Sequence, residues 1–131
     1  MKIRAYAQGD ETKFVARDPQ PVMDPNSAWT ICISGNPVAV FGCSEFMLGV
    51  GHVWMIVGEE VRGRGVALTK MASTMLDTEI DLQGFHRIQA FVDSRSDENK
   101  RWLRLLGLEY ESTMAKASPI KTDIDIYARF P

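Results

Sequence analysis

The 131-residue chain is expected to fold as a single α+β domain, with a mixed but mostly antiparallel central sheet flanked by helices. Three features carry that reading. Short runs of strand-forming residues alternate with glycine, proline and asparagine turns. A long stretch, about 66–82, repeats apolar residues at helical spacing: Leu68, Met71, Ala72, Met75 and Leu76. A shorter stretch at 97–106 carries its own start and stop signals.

KIRAYA (2–7) reads as the first strand, stopped by Gly9 and Asp10. Pro19, Pro21 and Pro25 leave room for at most one short helix before residue 28, within 10–17. Proline lacks the N–H that a helix needs and restricts the residue before it. AWTICIS (28–34) is the second strand, Gly35-Asn36 a two-residue hairpin turn, and PVAVFGC (37–43) the antiparallel return. A further reversal near 48–51 leads into HVWMIV (52–57). The long helix stops before Gly84, and HRIQAFVD (86–93) is the next strand.

In the second helix Ser94 or Ser96 is the cap, Asp97 and Glu98 face the positive end of the helix dipole, and Arg101 and Arg104 lie toward the negative end. Gly107 closes it in the left-handed position. LEYEST (108–113) and DIDIYARF (123–130) are the last strands, on either side of a loop at Pro119. The order is β-α-β-β-β-α-β-α-β-β. With no repeat, low-complexity tract or linker, residues 1–131 read as one domain.

The segment VRGRGVALTK (61–70) joins an apolar strand to the long helix through a glycine turn. Gly63 and Gly65 let a ligand approach the main chain closely. The first N–H groups of the helix have no partner within it, and the aligned peptide dipoles place about half a positive charge there. Phosphate suits such a turn, and Arg62 and Arg64 add formal charge. The plain alternative is a turn that only packs a helix tightly against its strand. No Gly-Lys-Ser/Thr follows, as a Walker loop requires, and Leu68 stands where a dinucleotide fingerprint needs its third glycine.

Arg62, Gly65 and Ala67 form Arg-x-x-Gly-x-Ala, which resembles the acyl-CoA-binding motif Gln/Arg-x-x-Gly-x-Gly/Ala of the GNAT N-acetyltransferase superfamily. The element order, the helix stop Leu106-Gly107-Leu108 and the closing strand DIDIYARF extend the resemblance over roughly 28–130. The short length and weak flanking motifs are most like GNAT-type proteins of tailed bacteriophages.

The resemblance implies a GNAT-like fold, acetyl-CoA as co-substrate and transfer of its acetyl group to an amine. Met55, Ile56 and Val57 would be the strand edge that pairs with the pantetheine amides. Arg62, Gly63, Arg64, Gly65, Val66, Ala67 and Leu68 would surround the pyrophosphate. The strands at 52–57 and 86–93 would splay apart around the thioester, where a main-chain N–H steadies the oxyanion.

The family's glutamate before the motif corresponds to Gly51, which leaves the adjacent His52 as the candidate general base. A hydrogen-bonding structural role is the alternative for His52, and Glu45 and Glu111 are further candidates unless they are merely solvated. The family's asparagine and thiolate-protonating tyrosine correspond to Ser96 and Leu103. Ser96 would keep a polar contact to the cofactor; Leu103 has no proton to give. Tyr6, Tyr110 or Tyr127 would have to substitute, against a default role in packing. His86, Trp54 and Trp102 read as structural.

The proline-rich segment stands where the family has two helices walling the acceptor site. That implies an open acceptor site, which favours a protein amine over a small one, or else a degraded site. The competing functions are an acetyl-CoA-binding module that acts on a host protein by contact, and a virion component that retains the fold. A homodimer is compatible with each.

A net charge of −2 and a pI near 5.7 exclude a general nucleic-acid binder. No apolar run approaches the roughly 20 residues of a membrane span, and the N-terminal residues lack a secretory h-region. Cys32 and Cys43 have no metal-type spacing and read as reduced thiols, so no metal is expected and the cytoplasm is the expected compartment.

Overall fold

The computed structural model describes residues 1–17, 20 and 22–131, so Pro19 and Pro21 lie outside the described residues. The strands are β1 (Lys2–Ala5), β2 (Ala28–Ile33), β3 (Asn36–Met47), β4 (Val50–Val57), β5 (Arg87–Asp93), β6 (Glu109–Met114) and β7 (Ile124–Arg129). The α-helices are α1 (Gly65–Gln83) and α2 (Asp97–Leu105). One sheet takes the order β1-β2-β3-β4-β5-β7-β6. Only β4 and β5 run parallel among its pairs.

Period-two alternation divides the sheet into two faces. One face carries Ile31, Phe41, Val53, Ile88 and Ala90, which meet Leu68, Ala72, Leu76 and Ile80 of α1 and Leu103 and Leu106 from α2 and its end. The other carries Val40, Trp54 and Ile56 in a smaller cluster with Phe14 from the N-terminal segment. Helix ends follow local chemistry. Gly84 takes φ 68° and returns its N–H to Ile80 O; the Ser96 hydroxyl accepts from Asn99 N, and Gly107 takes φ 87°.

Three sequence expectations change in detail. The first helix is a single 3-10 turn, Asp10–Thr12, and further turns form at Pro25–Ser27 and Glu59–Val61. The hairpin turn sits one residue earlier than Gly35-Asn36: Ser34 and Gly35 hold φ of 50° and 82°, and Asn36 already pairs with Ile33. β3 continues past Cys43, because Ser44 and Glu45 find partners in His52 and Gly51 of β4.

Asp10 explains how a segment with so little regular structure is held. It is completely buried, and its carboxylate accepts two bonds from Arg4 (2.7 and 3.0 Å), one from Ala7 N–H (2.8 Å) and one from the Thr30 hydroxyl (2.7 Å). The Arg4 guanidinium, aided by these other donors, holds the Asp10 carboxyl well below the usual carboxylate range. A depressed folded-state pKa contributes stability that is complete above the unfolded value, about 3.9, and fades as pH falls below it. Asp10→Ala is expected to cost about 2–3 kcal/mol at pH 7, chiefly from a buried Thr30 hydroxyl left without its acceptor. Urea unfolding at pH 7 and pH 3 checks this: the penalty should shrink at the lower pH.

Candidate functional site

β4 and β5 pair at only three rungs, Val50–Arg87, Gly51–Ile88 and His52–Gln89. Beyond them β4 stays on β3 as far as Val57–Ala39, while β5 stays on β7 as far as Asp93–Ile124. A gap therefore opens between two parallel strands that are each held from the far side. Gly58 N–H bonds Val38 O (2.9 Å), so the antiparallel alternation turns the main chain of Ile56 toward β3 and that of Met55 and Val57 toward the gap. The Ile56 side chain is buried in the smaller cluster.

β4 leads through Gly58 and the 3-10 turn to Arg62, Gly63 at φ 79°, and the start of α1. Arg64 is the N-cap residue, without a side-chain cap, and the first helical bond runs from Leu68 N to Arg64 O (3.0 Å). Residues 62–67 are all exposed, whereas Leu68 is buried in the core. A Cβ built on Gly63 or Gly65 would meet nothing within 4 Å, so the surface above both is open. Arg62 lies 2.9 Å from Glu59, which offsets part of its charge; Arg64 makes no ion pair among the described residues.

His52 stands at the last paired rung, at the apex of the gap, and alternation places it on the face away from α1 and α2. Its ring is buried beside Phe91 (4.6 Å between centroids, edge-on) and Phe46 (6.2 Å), and Nδ1 has no hydrogen-bond partner among the described residues. Burial pushes its pKa below the usual histidine value, which keeps the imidazole neutral and able to accept a proton. Gly51 is a packing residue: a Cβ there would lie 2.6 Å from Cys43 Sγ and 2.8 Å from the Phe85 ring. A glutamate at this position would enter the core.

The other candidates are engaged elsewhere. Glu111 holds Arg87 through two bonds of 2.7 and 2.8 Å, and that guanidinium lowers its pKa. Glu45 is exposed on β3. Ser96 caps α2, and Leu103 is buried in the core. Tyr6 hydroxyl bonds Glu11, Tyr110 pairs with Thr113, and Tyr127 accepts from Arg104. Trp54 donates to Ser44, while Trp102 Nε1 is buried without a partner among the described residues. His86 packs over Gly49. No group of three His, Cys, Asp or Glu side chains among the described residues is placed to hold a metal ion.

Two residues, Arg17 and Gln20, escape any reading of the sequence. Arg17 N–H donates to Val57 O (2.8 Å), Gln20 Nε2 donates to Met55 O, and the Arg17 guanidinium reaches across to Glu98 (2.6 Å) and Glu59 (3.5 Å). Arg17 and Glu98 are 81 positions apart, and nothing local to either announces the pair.

Both cysteines are free and buried, and burial, with a lesser effect from Glu79, pushes the Cys43 thiol up to about 12. Native protein is therefore expected to resist alkylation at neutral pH and to form no acyl-cysteine with labelled acetyl-CoA. Intact-mass analysis checks both; a stoichiometric thioester would point to covalent chemistry.

The architecture is that of the GNAT acetyltransferases, a single-domain mixed sheet with two helices. Ard1 from Thermoplasma volcanium superposes with a TM-score of 0.79 at 16% identity, over 98% of this chain and 96% of that one. A spermidine N-acetyltransferase variant from Vibrio cholerae gives 0.76 at 14% identity, over 99% and 95%. The ribosomal-protein-S5-alanine acetyltransferase from Vibrio fischeri gives 0.68 at 20% identity over 79% of this chain, which spans only 60% of that protein. No protein-family model and no curated protein matches the sequence. No helix among the described residues is long and apolar enough to cross a membrane.

Proposed function

We propose that this chain binds acetyl-CoA and transfers its acetyl group to an amine, preferably one on a protein. The observation that carries the reading is the continuity of the β4–β5 gap with the uncapped, arginine-flanked start of α1. The acyl-CoA diphosphate rests on the N–H groups of 65–67 with Arg62 and Arg64, and Gly63, Val66 and Leu68 shape the turn. The pantetheine arm runs along Met55 and Val57 into the gap, with Ser96 at its far wall.

The amine nitrogen attacks the thioester carbonyl, and a main-chain N–H of β4 steadies the oxyanion. The C–S bond then breaks and CoA leaves as a thiolate. His52 takes the proton shed by the amine, directly or through one water. The acceptor approaches on the His52 face, where Phe46 and Phe91 are exposed and, among the described residues, Phe14 of the N-terminal segment covers part of the sheet. That openness supports a protein acceptor; alanine of a ribosomal protein and spermidine, named for two structural neighbours, are the first amines to try.

Thiol release from acetyl-CoA, followed against a panel of peptides and polyamines, tests the reading. Acceptor-dependent release supports it, and its absence across the panel overturns the transferase. A second reading is favoured by Leu103, an apolar core residue where a thiolate-protonating group would stand. It is an acetyl-CoA-binding protein of phage type that acts in the host cytoplasm by contact with a host protein, alone or as a homodimer. Bound acetyl-CoA without turnover, together with specific capture of one host protein, would support it.

A further inference from the structure

We propose that Ala16, Arg17 and Gln20 act as a built-in competitor for the pantetheine arm, so that acyl-CoA enters the gap only by releasing them from β4. The proposal rests on the acyl-CoA reading above. Met55 and Val57 turn their carbonyls toward the gap, and both are already taken, by Gln20 Nε2 and by Arg17 N–H. Ala16 extends the contact as an antiparallel bridge to Gly58. A strand edge accepts one neighbour at about 4.8 Å, so a pantetheine amide and this segment exclude each other.

The tethers are of a kind that can be released. Arg17 holds Glu98 and Glu59, whose side chains are 68% and 57% exposed, so water can take over both carboxylates when the segment leaves. The root of the segment stays anchored by buried Asp10 and Phe14 after release. Apparent affinity for acyl-CoA is thereby reduced by the fraction of molecules with the edge vacated. Arg17 also ties the end of β4, through its N–H to Val57 O, to the first turn of α2, through its guanidinium to Glu98.

The test compares wild type with the double variant Arg17→Pro, Gln20→Ala. Proline removes the N–H donor and the guanidinium, and Ala16, extended in its bridge, accepts a following proline. Two net hydrogen bonds of roughly fivefold each predict acetyl-CoA binding tighter by about 10- to 30-fold in calorimetry. ADP keeps a diphosphate and lacks the pantetheine arm, so its affinity should not change. In wild type, acetyl-CoA should speed hydrogen exchange at the Arg17 amide, a readout that decides the matter if the variant fails to fold. Equal acetyl-CoA affinity, an equal gain for ADP, or an Arg17 amide still protected with acetyl-CoA bound would overturn the competitor and leave the acyl-CoA reading standing. No binding of acetyl-CoA to either protein at millimolar concentration would overturn both.

Discussion

Gly65→Glu is expected to abolish acetyl-CoA binding while leaving the fold intact. Gly65 opens α1 with an ordinary backbone angle, and a Cβ there meets nothing within 4 Å, so a side chain fits without strain. A carboxylate at a helix start even favours the helix, by about 0.3–1 kcal/mol. The same carboxylate would stand over the N–H groups proposed to receive the diphosphate and would repel it. Two like charges about 4 Å apart cost between about 1 and 4 kcal/mol near a protein surface. With the displaced N–H contacts, the loss should be at least about 100-fold. Calorimetry with acetyl-CoA, beside thermal unfolding of both proteins, reads the two effects separately. A variant that folds and binds as wild type does would remove the turn from the site. Gly63→Glu is a poorer probe, because φ 79° would strain any side chain and confuse folding with binding.

His52→Gln should lower acetyl transfer by roughly 10²–10⁴-fold, the usual worth of a positioned acid or base, with acetyl-CoA affinity unchanged. The pH profile carries the sign. Because burial lowers the His52 pKa, its neutral form persists below the ordinary value near 6.5, and His52 should add its own fall in rate, beyond that of the acceptor amine, only as pH drops through that lowered value. Above neutrality the rate should climb towards the acceptor's own pKa, about 10.4 for a lysine-like amine, without a bell-shaped decline. In the glutamine variant that added fall should vanish while the climb remains. Equal rates for variant and wild type would show that solvent takes the proton. Leu103→Tyr is expected to be no rescue: Leu103 is buried in the core, and overpacking there costs about 1–3 kcal/mol.

The strand–turn–helix at 52–76 was legible because each of its signals is local. A β run, a glycine with positive φ and apolar residues at three-and-four spacing act within one or two turns of chain. The second helix was legible for the same reason, with Ser96 and Gly107 marking its ends. Locality also explains the near miss at the hairpin. Asn36 is the commoner residue for a left-handed angle, yet pairing of Ile33 with Asn36 forces that angle on Ser34 and Gly35.

What only the tertiary structure decided depends on groups that meet across long stretches of chain. Gly51 looks like a missing carboxylate until Cys43 and Phe85 close around it. His52 looks like any strand histidine until Phe46 and Phe91 bury it at the rung where β4 and β5 part. Arg17 and Gln20 sit in a proline-rich stretch with no periodicity, and they matter only because β5 leaves the edge of β4 unpaired beyond His52. Residue pattern determines which segments become strands and helices, since those choices are made over a few neighbouring residues. Which strand edge stays open, and what fills it, is set by how the whole sheet closes, and no window of sequence contains that information.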